Sequence, residues 1–176
     1  MNEVILSKAT KSDLLKVQDI ARKCFKETFS SMNSEKNMKD YIEYSFSTKK
    51  IKKELSNPKS EFYLAKYKEE IIGYLKLNFE EAQTEIKDKN SVEIERIYVL
   101  SKFHGKKVGQ LLYNKALAIA KHKMASYIWL GVWEENQRAI RFYQKNDFIV
   151  FDTHNFKLGD EVQTDFMMKL ELNLIV

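Results

Sequence analysis

Residues 92–112 read VEIERIYVLSKFHGKKVGQLL. The apolar positions begin on even numbers, Val92 and Ile94, and then move to odd ones, Ile97 and Val99. Side chains alternate faces along a strand, so a one-residue change of parity is what a β-bulge produces. A strand buried on both faces blurs the same pattern, and at this point both readings stand. A bulge frees backbone N–H groups from the ladder and tends to sit beside active sites; this one falls near Glu95 and Arg96. The strand runs into a loop, Leu100 to Gly109, that holds two of the five glycines. A helix follows over about Val108 to Lys123, with Leu111, Leu112, Ala116, Ile119 and Ala120 at helical spacing. The exposed N–H groups of its first turn and the positive end of its dipole make an anion site, to which His104, Lys106 and Lys107 add charge. An ordinary strand-to-helix loop is the plainer reading. The spacing matches neither a Walker A loop nor the Gly-x-Gly-x-x-Gly fingerprint.

Working outward from this stretch, Val4 to Lys8 reads as a short first strand. Thr10 and Asp13 have capping-box spacing ahead of a helix whose stripe is Leu14, Val17, Ala21, Cys24 and Phe25. A second helix starts near Ser34 and carries Met38, Tyr41, Ile42 and Phe46. A third, about Thr48 to Leu55, stops before Asn57-Pro58. Strands over Glu61 to Tyr67 and Ile71 to Phe79 are joined by a polar turn, and Glu80 to Ser91 reads as an acidic loop. Beyond the central helix lie a strand, Tyr127 to Trp133, and an amphipathic helix, Asn136 to Lys145. Two further strands, Phe148 to Lys157 and Val162 to Leu172, flank a Gly159-Asp160 turn. No repeat, low-complexity tract or linker interrupts the order, so residues 1–176 read as one domain.

Composition narrows the class. The 176 residues suit a single core, and 22 aromatic residues are too many for a chain that stays unfolded. The single cysteine, Cys24, has no intrachain partner, and with no secretory pattern it points to a reducing, cytoplasmic setting. The longest apolar stretch, Tyr127 to Trp133, falls far short of the ~20 residues of a membrane span. The net charge of +5 favours anionic partners such as nucleic acid, although a Lys-rich solvated surface gives the same sum. No helix-turn-helix or RNA-stacking motif supports nucleic acid, no metal-ligand spacing is present, and homo-oligomer formation is left open.

The second half adds a motif: Asn136-x-x-Ala139-x-x-Phe142-Tyr143-x-x-x-x-Phe148, after a strand ending Val132-Trp133. Together with Ile97-Tyr98-Val99 and the loop and helix from His104 to Leu112, it resembles the GNAT N-acetyltransferase superfamily over nearly the whole chain. The stretches 92–99, 129–136 and 159–165 look like the PaiA-type spermidine/spermine acetyltransferases. The resemblance implies an α/β (α+β) fold: a mostly antiparallel sheet with a central splayed parallel strand pair, 92–99 and 127–133, flanked by helices. It implies acetyl-CoA in that cleft, with backbone groups of Ile97, Tyr98 and Val99 on the pantetheine and the Val99 N–H as oxyanion donor. The pyrophosphate would lie on the amides of His104, Gly105, Lys106, Lys107, Val108, Gly109 and Gln110. Asn136 would bond the pantetheine arm, and Tyr143 would lie near the sulfur. Three positions depart from the family pattern. His104 and Lys107 replace the usual first residue and first glycine of the loop, which strains Lys107 if its φ is positive. Asp147 stands for the glycine before the final Phe.

The chemistry follows from the amine. An alkyl ammonium with pKa near ~10.4 is neutral in about one molecule in two thousand at pH 7, so a base must take its proton. Glu95 is the candidate base or water-holder; its plainer reading is an ion pair with a nearby Lys or Arg. Tyr143 is placed by the motif to protonate the leaving thiolate; its plainer reading is a core aromatic. Cys24, remote in sequence, argues against a covalent intermediate. A polyamine acceptor would be bound by carboxylates and aromatic faces, with Glu27, Glu80, Glu81, Glu93 and Glu134, Tyr41 and Trp133 as candidates and solvated surface as the alternative for each carboxylate. The leading function is acetyl transfer from acetyl-CoA to a polyamine. The alternatives are another small amine, a protein amine, or a CoA- or nucleic-acid-binding module without turnover.

Overall fold

The computed structural model describes residues 4–158 and 161–172, so the expected Gly159-Asp160 turn lies outside the described residues. The chain runs β1 (Ile5–Lys8), α1 (Leu14–Phe29), α2 (Glu35–Ser45), α3 (Thr48–Ser56), β2 (Ser60–Tyr67), β3 (Glu70–Phe79), β4 (Ser91–Val99), α4 (Val108–His122), β5 (Tyr127–Trp133), α5 (Gln137–Gln144), β6 (Ile149–Leu158) and β7 (Glu161–Glu171). The strands form one seven-stranded sheet in the order β1-β2-β3-β4-β5-β7-β6. Every pairing is antiparallel except β4 with β5.

The helices start where the sequence supplies caps. The Ser34 and Ser47 side chains accept the amides of Asn37 and Lys50, and Asn136 accepts that of Ala139. The apolar stripe of α1 (Val17, Ile20, Ala21, Cys24, Phe25) and that of α4 (Leu112, Ala116, Ala120) are buried against the sheet. β3 is buried on both faces from Ile72 to Phe79. That burial gathers apolar area at roughly 25 cal/mol per Å². Cys24 belongs to this core, and burial pushes its thiol up to about 12, so it stays a neutral apolar group.

Two features of β4 shape the site. Across the β3–β4 ladder Lys76 faces Arg96 while Leu77 faces Ile94, so Glu95 is the extra residue of a bulge. The parity change in the sequence is this bulge. On its other side β4 pairs with β5 only over Ser91–Glu93 against Tyr127–Trp129. Beyond Glu93 the two strands part, and a cleft opens between them.

The segment from Glu80 to Ser91 is more ordered than a polar loop. A short 3-10 turn at Glu80–Ala82 turns Gln83 inward. Its buried amide oxygen accepts from the Trp129 indole at 2.7 Å and from Ser91 Oγ at 2.8 Å. Thr84 donates to Glu93 from its amide at 2.9 Å and from its hydroxyl at 2.5 Å. These bonds pin the connection over the sheet, which polarity alone does not reveal.

Candidate active site

A cavity of about 700 Å³ opens where β4 and β5 separate. One wall is the free edge of β4. Leu100 N–H donates to the Ile72 carbonyl at 2.9 Å, which makes that opposed pair a hydrogen-bonded one. Antiparallel pairs alternate, so the Gly73–Val99 and Leu75–Ile97 pairs are non-bonded and direct the N–H and C=O of Val99 and Ile97 away from β3, into the cleft. By the same alternation Tyr98 pairs back to Tyr74. The expectation for Tyr98 is corrected accordingly: it offers the cleft its ring, not its backbone.

The Val99 carbonyl is taken by His104, whose Nε2 lies 2.7 Å away. Nε2 donates there, which leaves Nδ1 to accept from Arg138 Nη1. Burial, with the Arg138 charge, holds the imidazole below its ordinary value despite the Val99 bond. His104 is therefore a neutral bridge and adds no charge to the loop, contrary to the expectation from sequence. The cation on this side is Arg138, which the sequence reading missed.

The loop and helix that follow form the anion end. Lys107, the N-cap of α4, has φ 63°, and Gly105 has φ 75°. Left-handed backbone costs a non-glycine residue about 1–2 kcal/mol, so Lys107 carries the strain its replacement of glycine implies. Asp147 also sits in this region, at φ 64°. The amides of Val108, Gly109 and Gln110 open the first turn of α4, where no intrahelical acceptor exists. His104, Gly105, Lys107, Val108, Gly109, Gln110, Asn136 and Arg138 all line the cavity. Lys106 does not; its Nζ lies over the Phe103 ring at 4.8 Å. Asn136 spends its oxygen on the Ala139 amide at 3.1 Å, which leaves its amide nitrogen as the group it can offer.

Tyr143, on α5, is buried in the same wall among Phe142 and Phe148. Burial alone raises its phenol well above the ordinary value, so it stays protonated and can donate a hydrogen bond to a sulfur in the cavity.

Of the two readings of Glu95, the structure displays the ion pair. Its carboxylate lies 2.5 Å from Lys76 Nζ, 2.9 Å from Arg96 Nη2 and 2.5 Å from Asn78 Nδ2. Glu54 completes the cluster, bidentate to Arg96 at 3.0 and 3.2 Å and 3.1 Å from Lys76. Burial opposes the charge of Glu95, yet Arg96 and Lys76 outweigh it and hold the carboxyl well below the usual range. A carboxylate so engaged is a poor proton acceptor. Its neighbour Glu93 is shifted upward, by burial and by the Glu95 charge, while its oxygens are occupied by Thr84 and Asn78.

The remaining expected residues divide. Tyr41, Glu93 and Trp133 line the cavity, and Glu27, Glu80, Glu81 and Glu134 do not. Glu27 accepts the Ser101 amide at 2.6 Å, and Glu80 pairs with Lys59 at 2.6 Å. Sequence reasoning missed Phe29, Phe156, Glu85, His154 and Asp165, all in the lining. Phe29 packs on Trp133 and Tyr98, and Tyr41 packs on Phe156. Asp165 had one available signal: a carboxylate within a strand that lies between two others. His154 had none before the register was known.

A splayed parallel pair, an amide-rich helix start beside it and a buried tyrosine define a site for acyl transfer from a phosphate-bearing donor. The chain matches the Acetyltransferase (GNAT) family over residues 15–148, and it belongs to that family. It is an N-acetyltransferase, and its acetyl donor is acetyl-CoA. It is 37% identical over 172 residues to an uncharacterized N-acetyltransferase in the pepI 3′ region of Lactobacillus delbrueckii subsp. lactis, covering 98% of this chain and 99% of that one. It is 27% identical over 152 residues to a spermidine N(1)-acetyltransferase of Thermoplasma acidophilum, covering 84% and 89%. Among solved structures it resembles the PaiA N-acetyltransferase of Thermoplasma acidophilum in complex with coenzyme A, with TM-score 0.80, 27% identity and coverage of 97% and 99%. Among the described residues no helix is long and apolar enough to cross a membrane.

Proposed function

We propose that this protein acetylates a primary amine of a polyamine, by direct attack in a ternary complex with acetyl-CoA. The observation that carries the acceptor class is the cavity lining, which includes the aromatic rings of Phe29, Tyr41, Trp133 and Phe156 together with the carboxylates of Glu85 and Asp165. Aromatic faces and carboxylates together attract a chain with several cationic centres. The likeness to a spermidine acetyltransferase points the same way.

The residues present fit the donor. The amides of Val108 to Gln110, with Lys107 and Arg138, hold the phosphates at the start of α4. The cleft-facing N–H and carbonyl of Ile97 take the pantetheine amides as an added strand would, with the Asn136 amide across from them. Bound acetyl-CoA supplies an acetyl group activated as a thioester. The Val99 N–H, which points into the cleft, would donate to the thioester oxygen and stabilise charge developing on it, a donor rigidified because His104 holds the adjoining peptide. Tyr143 delivers a proton to the departing sulfur. Reducing conditions and an acetyl-CoA supply, as in the cytoplasm, suit this chemistry.

The test is a steady-state screen of the purified protein with acetyl-CoA against spermidine, spermine, simple alkylamines and peptides. Acetylation of spermidine or spermine above the other amines is expected. Turnover of another amine with polyamines at background overturns the acceptor class.

A further inference from the structure

Resting on acetyl transfer to an amine at this site, we propose that the His154–Asp165 pair, on β6 and β7, anchors the acceptor nitrogen and takes its proton. Trp133, Asp165 and His154 are directly opposed across β5, β7 and β6. Directly opposed residues share a face of the sheet, so the three form one row, and all three line the cavity. Gly131, two positions before Trp133, lies on that same face of β5. A Cβ at Gly131 would sit 3.5 Å from His154 Nε2 and 3.6 Å from Asp165 Oδ2. The two polar atoms therefore stand directly over the backbone of the strand that forms one wall of the cleft, with no side chain between.

The two groups are arranged as a proton acceptor with a carboxylate beside it. His154 Nε2 is 3.6 Å from Asp165 Oδ2, and Nδ1 lies 3.2 Å from the Asn155 carbonyl and 3.9 Å from Glu85 Oε1. Nδ1 is within hydrogen-bond distance of the Asn155 carbonyl, whereas Nε2 stands farther from Asp165, which places the ring proton on Nδ1 and leaves Nε2 with its lone pair. Asp165 Oδ1 is buried without a hydrogen-bond partner among the described residues. An unmet buried acceptor is unfavourable, and an ammonium brought against this carboxylate offsets that loss. Glu85 faces the pair from the β3–β4 connection, Glu134 from the β5–α5 connection and Tyr98 from β4. None of these is a cation, in contrast to Glu95, whose oxygens are already held by Lys76, Arg96 and Asn78. Burial, offset by His154 and reinforced by Glu134, pushes the Asp165 carboxyl up to about 6.

The step balances as proton transfer followed by acyl transfer, with no redox change. An N–H bond of the ammonium breaks and a bond from that proton to Nε2 forms, with Asp165 stabilising the imidazolium. The freed lone pair makes the C–N bond to the thioester carbon as the C–S bond breaks, and Tyr143 protonates the sulfur. The second N–H proton, shed as the amide forms, restores Tyr143 through solvent. His154 releases the first proton to water, so one proton is liberated per turnover.

The experiment compares His154→Gln, Asp165→Asn and the double variant with wild type, using whichever amine the wild type acetylates, over about pH 7 to pH 10. Coenzyme A affinity, measured by calorimetry, reports folding of the donor site. We expect kcat/KM at pH 7 to fall about 100-fold in each single variant, with CoA affinity within about twofold of wild type. The double variant should lose no more than the worse single one. The defect should shrink as pH rises, because free amine then exists without a base. Activity within about threefold of wild type overturns the proposal, and so does a defect that stays constant across pH with CoA binding intact. Wild-type turnover of a different amine overturns only the polyamine assignment, and the pair is then judged on that amine.

Discussion

His104 Nε2 lies 2.7 Å from the carbonyl oxygen of Val99, across the turn that leaves β4. This bond ties the last residue of the bulged strand to the loop that opens α4, and through Nδ1 to Arg138 on α5. Three parts of the donor site thus share one neutral imidazole. Replacing His104 with Ala should reduce kcat about tenfold, weaken CoA binding severalfold and cost about 1 kcal/mol of stability. Enzyme kinetics, calorimetry and urea unfolding measure the three effects.

Glu95 is expected to matter for folding before chemistry. Glu95→Gln leaves Lys76 and Arg96 buried beside a weaker partner, and breaking such a pair costs about 3–5 kcal/mol. Urea unfolding at neutral pH checks this. The sign of the pH effect follows from the depressed carboxyl, shifted from 4.5 to about 2. Its contribution is fully present above the unfolded value and is lost as pH falls from about 4.5 toward 2. The wild type should therefore lose stability over that window, and the Gln variant should show a smaller loss there.

Lys107→Gly removes a left-handed non-glycine residue. The expected gain is about 1 kcal/mol, or a few degrees in Tm. The same change removes an ammonium from the anion end, so CoA affinity should fall about two- to fivefold. A thermal melt and a CoA titration on the same sample separate the two.

Tyr143→Phe keeps the ring packing against Phe142 and Phe148 and deletes only the hydroxyl. Loss of a positioned acid typically costs 10²-fold or more in rate. We expect kcat to fall about 100-fold with CoA affinity unchanged; unchanged kcat rejects Tyr143 as the acid.

The sheet and its helices were legible because period-2 and period-3.6 patterns are local. The bulge showed as a shift from Ile94 to Ile97 along a single strand, and two helix starts showed as Ser34 and Asn136. The stretches expected to hold the donor, 97–110 and 136–143, were legible for the same reason, since each is contiguous, and both contribute to the cavity lining. The acceptor side was not. His154 and Asp165 meet only through the β6–β7 register, eleven residues apart in sequence. The partners of Glu95 come from β3 and α3, so sequence could not decide between a base and an ion pair. His104 was expected to be charged because its burial and its Arg138 neighbour are products of the fold.

The most direct test of the account is mass analysis of spermidine and spermine after incubation with the purified protein and acetyl-CoA, with free CoA thiol followed in parallel. The account predicts monoacetylated polyamine formed in step with CoA release, at a rate above that for simple alkylamines and peptides. CoA release with acetyl found only on another amine, or no polyamine product at all, would contradict it.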